Sequence, residues 1–246
     1  MINIFSIYHI LLVLITFLIV LLIIKYHKYF VGLSSSQKKK VRYLLAALLI
    51  ANFALRRGSF LYYGVFDWKS HLDIGFCNIT WAMFLIFSLT GSKKIYNICY
   101  YMTFIGPVSA ILLPSVNLSP SNYSFFSFII IHHLILIFNF VFYLSEGQEE
   151  FGIKGFIPFI TLYLIIINVF NIIFKTDYNA PVSFVNSLIL NNTFIHHLAQ
   201  LEVFPYIMEF VVVIIGTLAG FVCDRVLKKH CYITNCSDSV EKVGRL

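Results

Sequence analysis

Seven apolar stretches, most of them about as long as a membrane-spanning helix, constrain this chain more than any other feature. A helix needs about 20 predominantly apolar residues to cross the hydrocarbon core of a bilayer. The stretches run roughly over residues 4–24, 43–55, 72–90, 95–113, 125–144, 155–174 and 204–227. The second is short because Arg56 and Arg57 end it early, so we expect it to include flanking residues or to lie where the bilayer is thin. The pattern predicts an all-α fold, a polytopic membrane helix bundle of about seven transmembrane helices.

The composition also indicates a membrane protein. Of the 246 residues, 59% are hydrophobic and 12% are charged, and the mean hydropathy is +0.85. A soluble domain is about half apolar and about a quarter charged. The net charge of +7 therefore reflects membrane topology and not a nucleic-acid footprint. We expect membrane lipids as partners and no nucleic acid, and the sequence indicates no protein partner.

The placement of lysine and arginine predicts the orientation of the helices. If the N-terminus lies outside, only Arg56, Arg57, Lys69 and Lys175 of the 18 basic residues fall on outer segments. Inner segments normally carry the excess of positive charge. The first residues, "MINIF", have no basic n-region, so we expect the first span to be an anchor and not a cleaved signal peptide. The sequence predicts a multi-pass protein of the cell membrane with an outer N-terminus, a transmembrane domain over residues 1–227 and a polar, mobile cytoplasmic tail over 228–246.

Several polar residues are predicted to lie at a similar depth in the outer half of the membrane. With about 1.5 Å of rise per residue, the side chains lie about 5 to 10 Å below the outer ends of four helices. They are Cys77, His132, Asn168, Asn171 and Glu209. Polar residues inside a membrane are costly, and those present usually face the bundle interior and mark function. We expect these five residues to border one polar cleft.

The chemistry of this set leaves several alternatives open. His132 and His133 point about 100° apart on a helix, so only one of them is expected to face the cleft. A cysteine becomes nucleophilic beside a base, and Cys77 with His132 therefore favours an acyl-transfer centre for lipid esters. Zinc or copper binding is another alternative, with Cys77, His132, His196 and His197 as ligands. None of the five cysteines has zinc-ligand spacing, however, and we predict no metal and no cofactor.

Structural roles and transport are the remaining alternatives. Glu209 would be satisfied by an ion pair with Arg56 or Arg57, and Asn168 and Asn171 would be satisfied by hydrogen bonds across helices. A buried cysteine is often just a small apolar side chain. The histidine and carboxylate groups would also suit a proton or solute pathway, as in transporters, although the odd helix count and the lack of a visible repeat argue mildly against transport.

Three stretches of the sequence carry a resemblance: "LDIGFC" from Leu72 to Cys77, the segment from Gly106 to Pro114, and "FFSFIIIHHLILI". They resemble motifs of the YwaF-like bacterial integral membrane family. "LDIGFC", from Leu72 to Cys77, is similar to the family's "LPLHLC" entry to a helix. The segment from Gly106 to Pro114 resembles a later "G…ALLTP"-like stretch. "FFSFIIIHHLILI" is similar to the "FFLSHGLL" helix, which aligns His132 with the family histidine.

Two further motifs extend the resemblance, which covers residues 43–226. "KTDYNAP" is similar to the family's "TNYLYL" segment and places Asp177 and Tyr178 at its Asn-Tyr pair. "FPYIMEF" resembles "WPWYLLALE" at the start of the last helix and places Glu209 on the family glutamate. Asn78, beside the cysteine, is assigned to the same cleft.

The resemblance implies an activity. Eukaryotic relatives of the family, the transmembrane protein 164 acyltransferases, remodel ether phospholipids with a cysteine and a histidine, and Cys77 and His132 correspond to them. The chain departs from the family at Gly75, where a second histidine is usual, and at Asp177, where an asparagine is usual. We therefore expect a phospholipid acyltransferase with a Cys77–His132 centre in the outer half of the bilayer. The alternative is a transporter or a non-enzymatic membrane protein with the same polar cleft.

Overall fold

The computed structural model of the chain describes residues 7–64, 66, 72, 74–112, 127–147, 152–174, 176 and 204–243, with side chains of the last segment described for 206–229. Every regular element in this part of the chain is helical. The helices are α1 (Ile7–Lys25), α2 (His27–Val31), α3 (Ser35–Tyr62), α4 (Phe76–Thr90), α5 (Lys93–Ile105), α6 (Pro107–Leu112), α7 (Ser127–Glu146), α8 (Gly152–Phe174) and α9 (Phe204–Val243).

The helices account for all seven of the predicted spans. Six helical segments are long and apolar enough to cross a membrane, when α5 and α6 are taken together, and α4 is a shorter apolar helix. The all-α, polytopic prediction is therefore confirmed. α9 continues to Val243, so the part of the predicted mobile tail that precedes this residue is helical.

The second span is much longer than its apolar stretch. α3 has 28 residues and includes both Arg56 and Arg57. It begins early because Ser34 and Gln37 form a capping box, in which each side chain accepts a hydrogen bond from the other residue's backbone N–H. As predicted, the second span includes residues that flank its apolar stretch.

The fourth span is interrupted between α5 and α6. Gly106 and Pro107 lie at the junction, and Pro107 is the first residue of α6. Proline has no backbone N–H to donate, so it is tolerated at the first position of a helix and not inside one. The predicted continuous helix over 95–113 is therefore two helices, and the break lies beside the start of α4.

A π-helical turn interrupts α7. It runs from Ile130 to Leu134 and contains both His132 and His133. One turn of a π-helix holds more residues than an α-helical turn, and such turns are frequent at functional sites. The regular helix predicted over 125–144 therefore has irregular backbone where its two histidines lie.

α5 lies at the centre of the bundle. Its side chains from Tyr96 to Met102 are almost all fully buried, and it packs against α4, α7, α8 and α9. Two glycines of α9 allow a close approach: a Cβ on Gly216 would lie 2.9 Å from the Ile105 Cα, and one on Gly220 would lie 2.9 Å from a Tyr101 ring carbon. Small residues spaced four apart commonly permit such packing in membranes.

The two ends of the bundle differ in charge. At one end, Arg42 of α3 forms an ion pair with Glu146 of α7, and α1, α5, α8 and α9 also place lysines there. Cys77 and Gly106 are in contact at the opposite end. The basic end is the one predicted to face the cytoplasm.

Candidate functional site

Cys77 is the second residue of α4, and several contacts hold its backbone. Gly106 approaches so closely that a Cβ at this position would lie 3.0 Å from the Cys77 nitrogen. The Tyr163 hydroxyl of α8 donates a 2.6 Å hydrogen bond to the Ile74 carbonyl, and the Tyr163 and Phe76 rings lie 5.4 Å apart. α5, α6 and α8 therefore position the start of α4 and, with it, the thiol.

The start of α4 also corrects the predicted depth of Cys77. The apolar stretch was expected to become helical at Leu72, about 8 Å before the cysteine. The helix instead begins at Phe76, after an extended Gly75, so the half-buried Cys77 lies in its first turn. The backbone N–H groups of a first helical turn have no partners within the helix and favour negative charge.

Arg56 connects α3 to this helix start. Its Nη1 donates a 3.2 Å hydrogen bond to Oδ1 of Asn78, next to the cysteine, and its guanidinium lies 5.7 Å from the centre of the Phe60 ring. The charge of Arg56 is within electrostatic range of both Cys77 and His132. A half-buried cation is therefore close to both of the residues that were predicted to react.

The hydrogen bonding of His132 determines which of its nitrogens can act as a base. Nδ1 lies 2.8 Å from the Phe128 carbonyl oxygen, one turn earlier in α7. A carbonyl only accepts, so Nδ1 carries the proton and Nε2 of the neutral ring has a free lone pair. The Phe128 ring lies 4.3 Å from the imidazole and limits its rotation. His132 is thus held with Nε2 available.

Cys77 and His132 lie on neighbouring elements at the same end of the bundle. The π-helical turn of α7 packs against α3, α4 and α6, which are the helices around the thiol. Among the hydrogen bonds of the described residues there is none between Cys77 Sγ and His132. Hydrogen bonds between catalytic groups are often long before substrate binds. The predicted Cys77–His132 centre stays a prediction.

His133 has different surroundings from His132. It is buried, and within the described part of the chain neither ring nitrogen has a hydrogen-bond partner. It is within electrostatic range of His9 on α1, whose Nε2 donates a 2.7 Å hydrogen bond to the Ile111 carbonyl. The two histidines therefore have different hydrogen bonding, although the Phe128 ring lies close to both.

Glu209 lies between α8 and α9. Nδ2 of Asn168 donates a 3.0 Å hydrogen bond to Oε2 of Glu209, and the carboxylate is 3% exposed. Asn171, one turn further along α8, accepts a 2.9 Å hydrogen bond from the Thr176 hydroxyl. Both contacts fit the structural reading in which the asparagines bond to neighbouring segments.

Four of the predicted residues lie outside the described part of the chain: Asp177, Tyr178, His196 and His197. Within the described residues, no three histidine, cysteine or acidic side chains cluster closely enough to hold a metal ion.

Sequence reasoning did not assign the residues that hold the site together. Arg56 was considered only as a partner of Glu209, and Tyr163 and Gly106 were given no role at the thiol. Intramembrane arginine is rare and usually functional, and that signal was sufficient to select Arg56.

The helical bundle, with its lipid-facing apolar side chains and half-buried polar end, defines a polytopic helical membrane protein. The model of the TMEM164 family matches residues 4–222, and the chain belongs to that family. This confirms the predicted relationship to transmembrane protein 164. Neither the comparison with curated proteins nor the comparison with solved structures returned a match.

Proposed function

We propose that this protein is a phospholipid acyltransferase of the cell membrane, related to the YwaF-like bacterial proteins, in which Cys77 carries the acyl group and His132 transfers protons. The observation that carries the proposal is the hydrogen bond from His132 Nδ1 to the Phe128 carbonyl, which leaves Nε2 as a proton acceptor at the end of the bundle where Cys77 lies. Family membership and the resemblance to lipid acyltransferases add support.

The reaction proceeds in two transfers. The Cys77 sulfur attacks the ester carbonyl of a donor phospholipid while His132 Nε2 takes the thiol proton. The lysolipid oxygen leaves with that proton, and the acyl group becomes a thioester on Cys77. Nε2 then takes a proton from the hydroxyl of an acceptor lysolipid, whose oxygen attacks the thioester and restores the thiol. No metal or cofactor takes part.

Two features of the surroundings of Cys77 oppose the effect of burial on its thiol. A buried thiol without assistance stays neutral, because its thiolate form is poorly solvated. The first-turn N–H groups of α4 and the positive charge of Arg56 both favour negative charge on the sulfur. Arg56 also suits a second task in this proposal, binding the phosphate of a lipid that enters from the outer leaflet.

The test is acyl exchange by the full-length protein in liposomes. A phospholipid with a deuterated acyl chain is the donor, an unlabelled lysophospholipid is the acceptor, and mass spectrometry measures the product. We expect Cys77→Ala and His132→Ala each to abolish exchange, and the double variant to be no worse than either, because residues that act as one unit are not additive. His133→Ala and Cys99→Ala are matched controls that retain activity.

A trapping experiment distinguishes the roles of the two residues. A lipid-like electrophile is expected to label Cys77 in the native protein, to label it much more slowly in His132→Ala, and to leave buried Cys99 unlabelled. Equal labelling of Cys77 in both proteins would show that His132 does not activate the thiol. Exchange that is absent from the native protein, or unchanged by Cys77→Ala, would instead favour the transporter or non-enzymatic alternative.

A further inference from the structure

A cavity lies at the basic end of the bundle, at the opposite end from Cys77. It has a volume of about 400 Å³ and lies between the first turn of α8 and the last membrane-embedded turns of α9. Its charged lining residues are Lys154, Asp224, Arg225 and Lys228. Ligand pockets for small molecules begin at about 300 Å³, so the volume is sufficient for a headgroup.

Asp224 and Lys228 form a fixed, neutral pair at one side of this cavity. The buried Asp224 carboxylate accepts a 2.8 Å hydrogen bond from the Tyr143 hydroxyl of α7 through Oδ1, and a 2.9 Å one from Lys228 Nζ through Oδ2. The two charges cancel, and the contact with Tyr143 holds α9 in register with α7. The net positive charge of the cavity is therefore supplied by the other two cations.

Lys154 and Arg225 are both exposed at the cavity rim. Within the described residues, Lys154 has no hydrogen-bond or ion-pair partner, and the Arg225 guanidinium packs 5.1 Å from the centre of the Phe221 ring. Glu149 and Glu150 precede α8 in the sequence and lie outside the described residues. A ligand that pairs with Lys154 and Arg225 must be an anion.

The other residues that line the cavity are Tyr101, Gly152, Ile153 and Phe221, and the side chains of Ile153 and Phe221 are apolar. Ile157 and Val222, both more than half exposed, continue this apolar surface along α8 and α9 toward the membrane interior. A free phosphate ion would gain nothing from this surface, whereas an acyl chain attached to a phosphate would cover it.

We infer that this cavity binds one anionic glycerophospholipid of the leaflet at the basic end, with its phosphate between Lys154 and Arg225 and its acyl chains along α8 and α9. Basic pockets between helices on the cytoplasmic side suit anionic headgroups. The site lies at the opposite end of the bundle from Cys77, so it is independent of the proposed transfer reaction.

The experiment uses the purified full-length protein in detergent, titrated with short-chain phosphatidylglycerol while the thermal unfolding midpoint is followed. Short-chain phosphatidylcholine and inorganic phosphate are titrated in parallel. We expect phosphatidylglycerol alone to raise the midpoint, because ligand that binds the folded state stabilises it. We also expect Lys154→Ala/Arg225→Ala to increase the half-saturating concentration at least about fivefold.

A matched variant removes the same charge elsewhere at the basic end. Lys93→Ala/Lys94→Ala changes two exposed lysines outside the cavity and is expected to leave the titration unchanged. Lys154→Arg, which keeps the charge and leaves the contact of Arg225 with Phe221 in place, is expected to bind within about twofold of the native protein. An equal loss in the Lys93/Lys94 variant would overturn the inference in favour of general surface charge. Equal stabilisation by phosphatidylcholine or by inorganic phosphate would overturn it as well.

Discussion

His132 and His133 are adjacent in the sequence but have different hydrogen bonding. His132 donates to the Phe128 carbonyl, and that bond assigns its proton to Nδ1. His133 is as deeply buried yet has no partner for either nitrogen within the described residues. A buried polar group without a hydrogen bond costs about 1–3 kcal/mol. The hydrogen bond holds His132 with Nε2 available, whereas neither nitrogen of His133 is held in this way among the described residues.

Arg56 is predicted to contribute to acyl exchange. We expect Arg56→Ala to lower acyl exchange about tenfold or more, because the substitution removes the cation that favours the Cys77 thiolate and the hydrogen bond to Asn78. Rates of exchange at several lysolipid concentrations measure the effect. The thermal unfolding midpoint separates it from a loss of folded protein.

Arg57 is the matched control for Arg56. It is also half-buried, but its guanidinium packs 5.5 Å from the centres of the Phe53 and Phe66 rings. Arg57→Ala is therefore expected to change stability more than the rate of exchange. If Arg57→Ala and Arg56→Ala lower the rate equally, a direct role of Arg56 at the thiol is excluded.

At the scale of the helices, glycine determines how closely the elements pack. Gly106 allows the junction of α5 and α6 to contact the start of α4, and Gly216 allows α9 to contact the backbone of Ile105. Cys77 is therefore positioned by a helix start, a helix break and a glycine contact, and not by the length of α4.

Gly216→Ala tests this packing. A Cβ at this position would lie 2.9 Å from the Ile105 Cα, which is backbone and cannot move without shifting α5. We expect a loss of about 1–3 kcal/mol of stability, the usual cost of overpacking. Gly155→Ala is the control, because a Cβ at Gly155 meets nothing within 4 Å and alanine is the better helix former. Unfolding in mixed detergent and denaturant measures both variants, and equal stability of the two would contradict the close contact.

For the whole molecule, the separation of charge between the two ends predicts the orientation in the membrane. We expect a reporter fused after Leu246 to read as cytoplasmic and one inserted at Ser115 to read as exterior, because the basic end is retained inside. Accessibility of these reporters in intact cells is the measurement. An exterior reading after Leu246 would reverse the orientation and place the lipid cavity in the outer leaflet.

The membrane class, the apolar spans and the basic end could all be predicted from the sequence, because hydropathy and charge act locally along the chain. The contacts within the candidate site could not be predicted in the same way. Cys77, Asn78 and His132 lie on α4 and α7 at one end of the bundle, Asn168 and Glu209 form a pair between α8 and α9, and the cleft expected to join them stays a prediction. The local sequence indicates how deep a residue lies in the membrane, but it does not indicate which residues at that depth border the same cleft.

Tertiary structure alone decided how these residues meet. The hydrogen bond between Arg56 and Asn78, the contact of Gly106 with Cys77 and the bond from Tyr163 to Ile74 join helices that lie far apart in the sequence. A lipid-facing stripe and an interior stripe are equally apolar in a membrane helix, so periodicity does not indicate which side faces a neighbour. The apolar stretches were readable from the sequence, whereas the ends, the rotation and the partners of each helix depended on its contacts in the folded bundle.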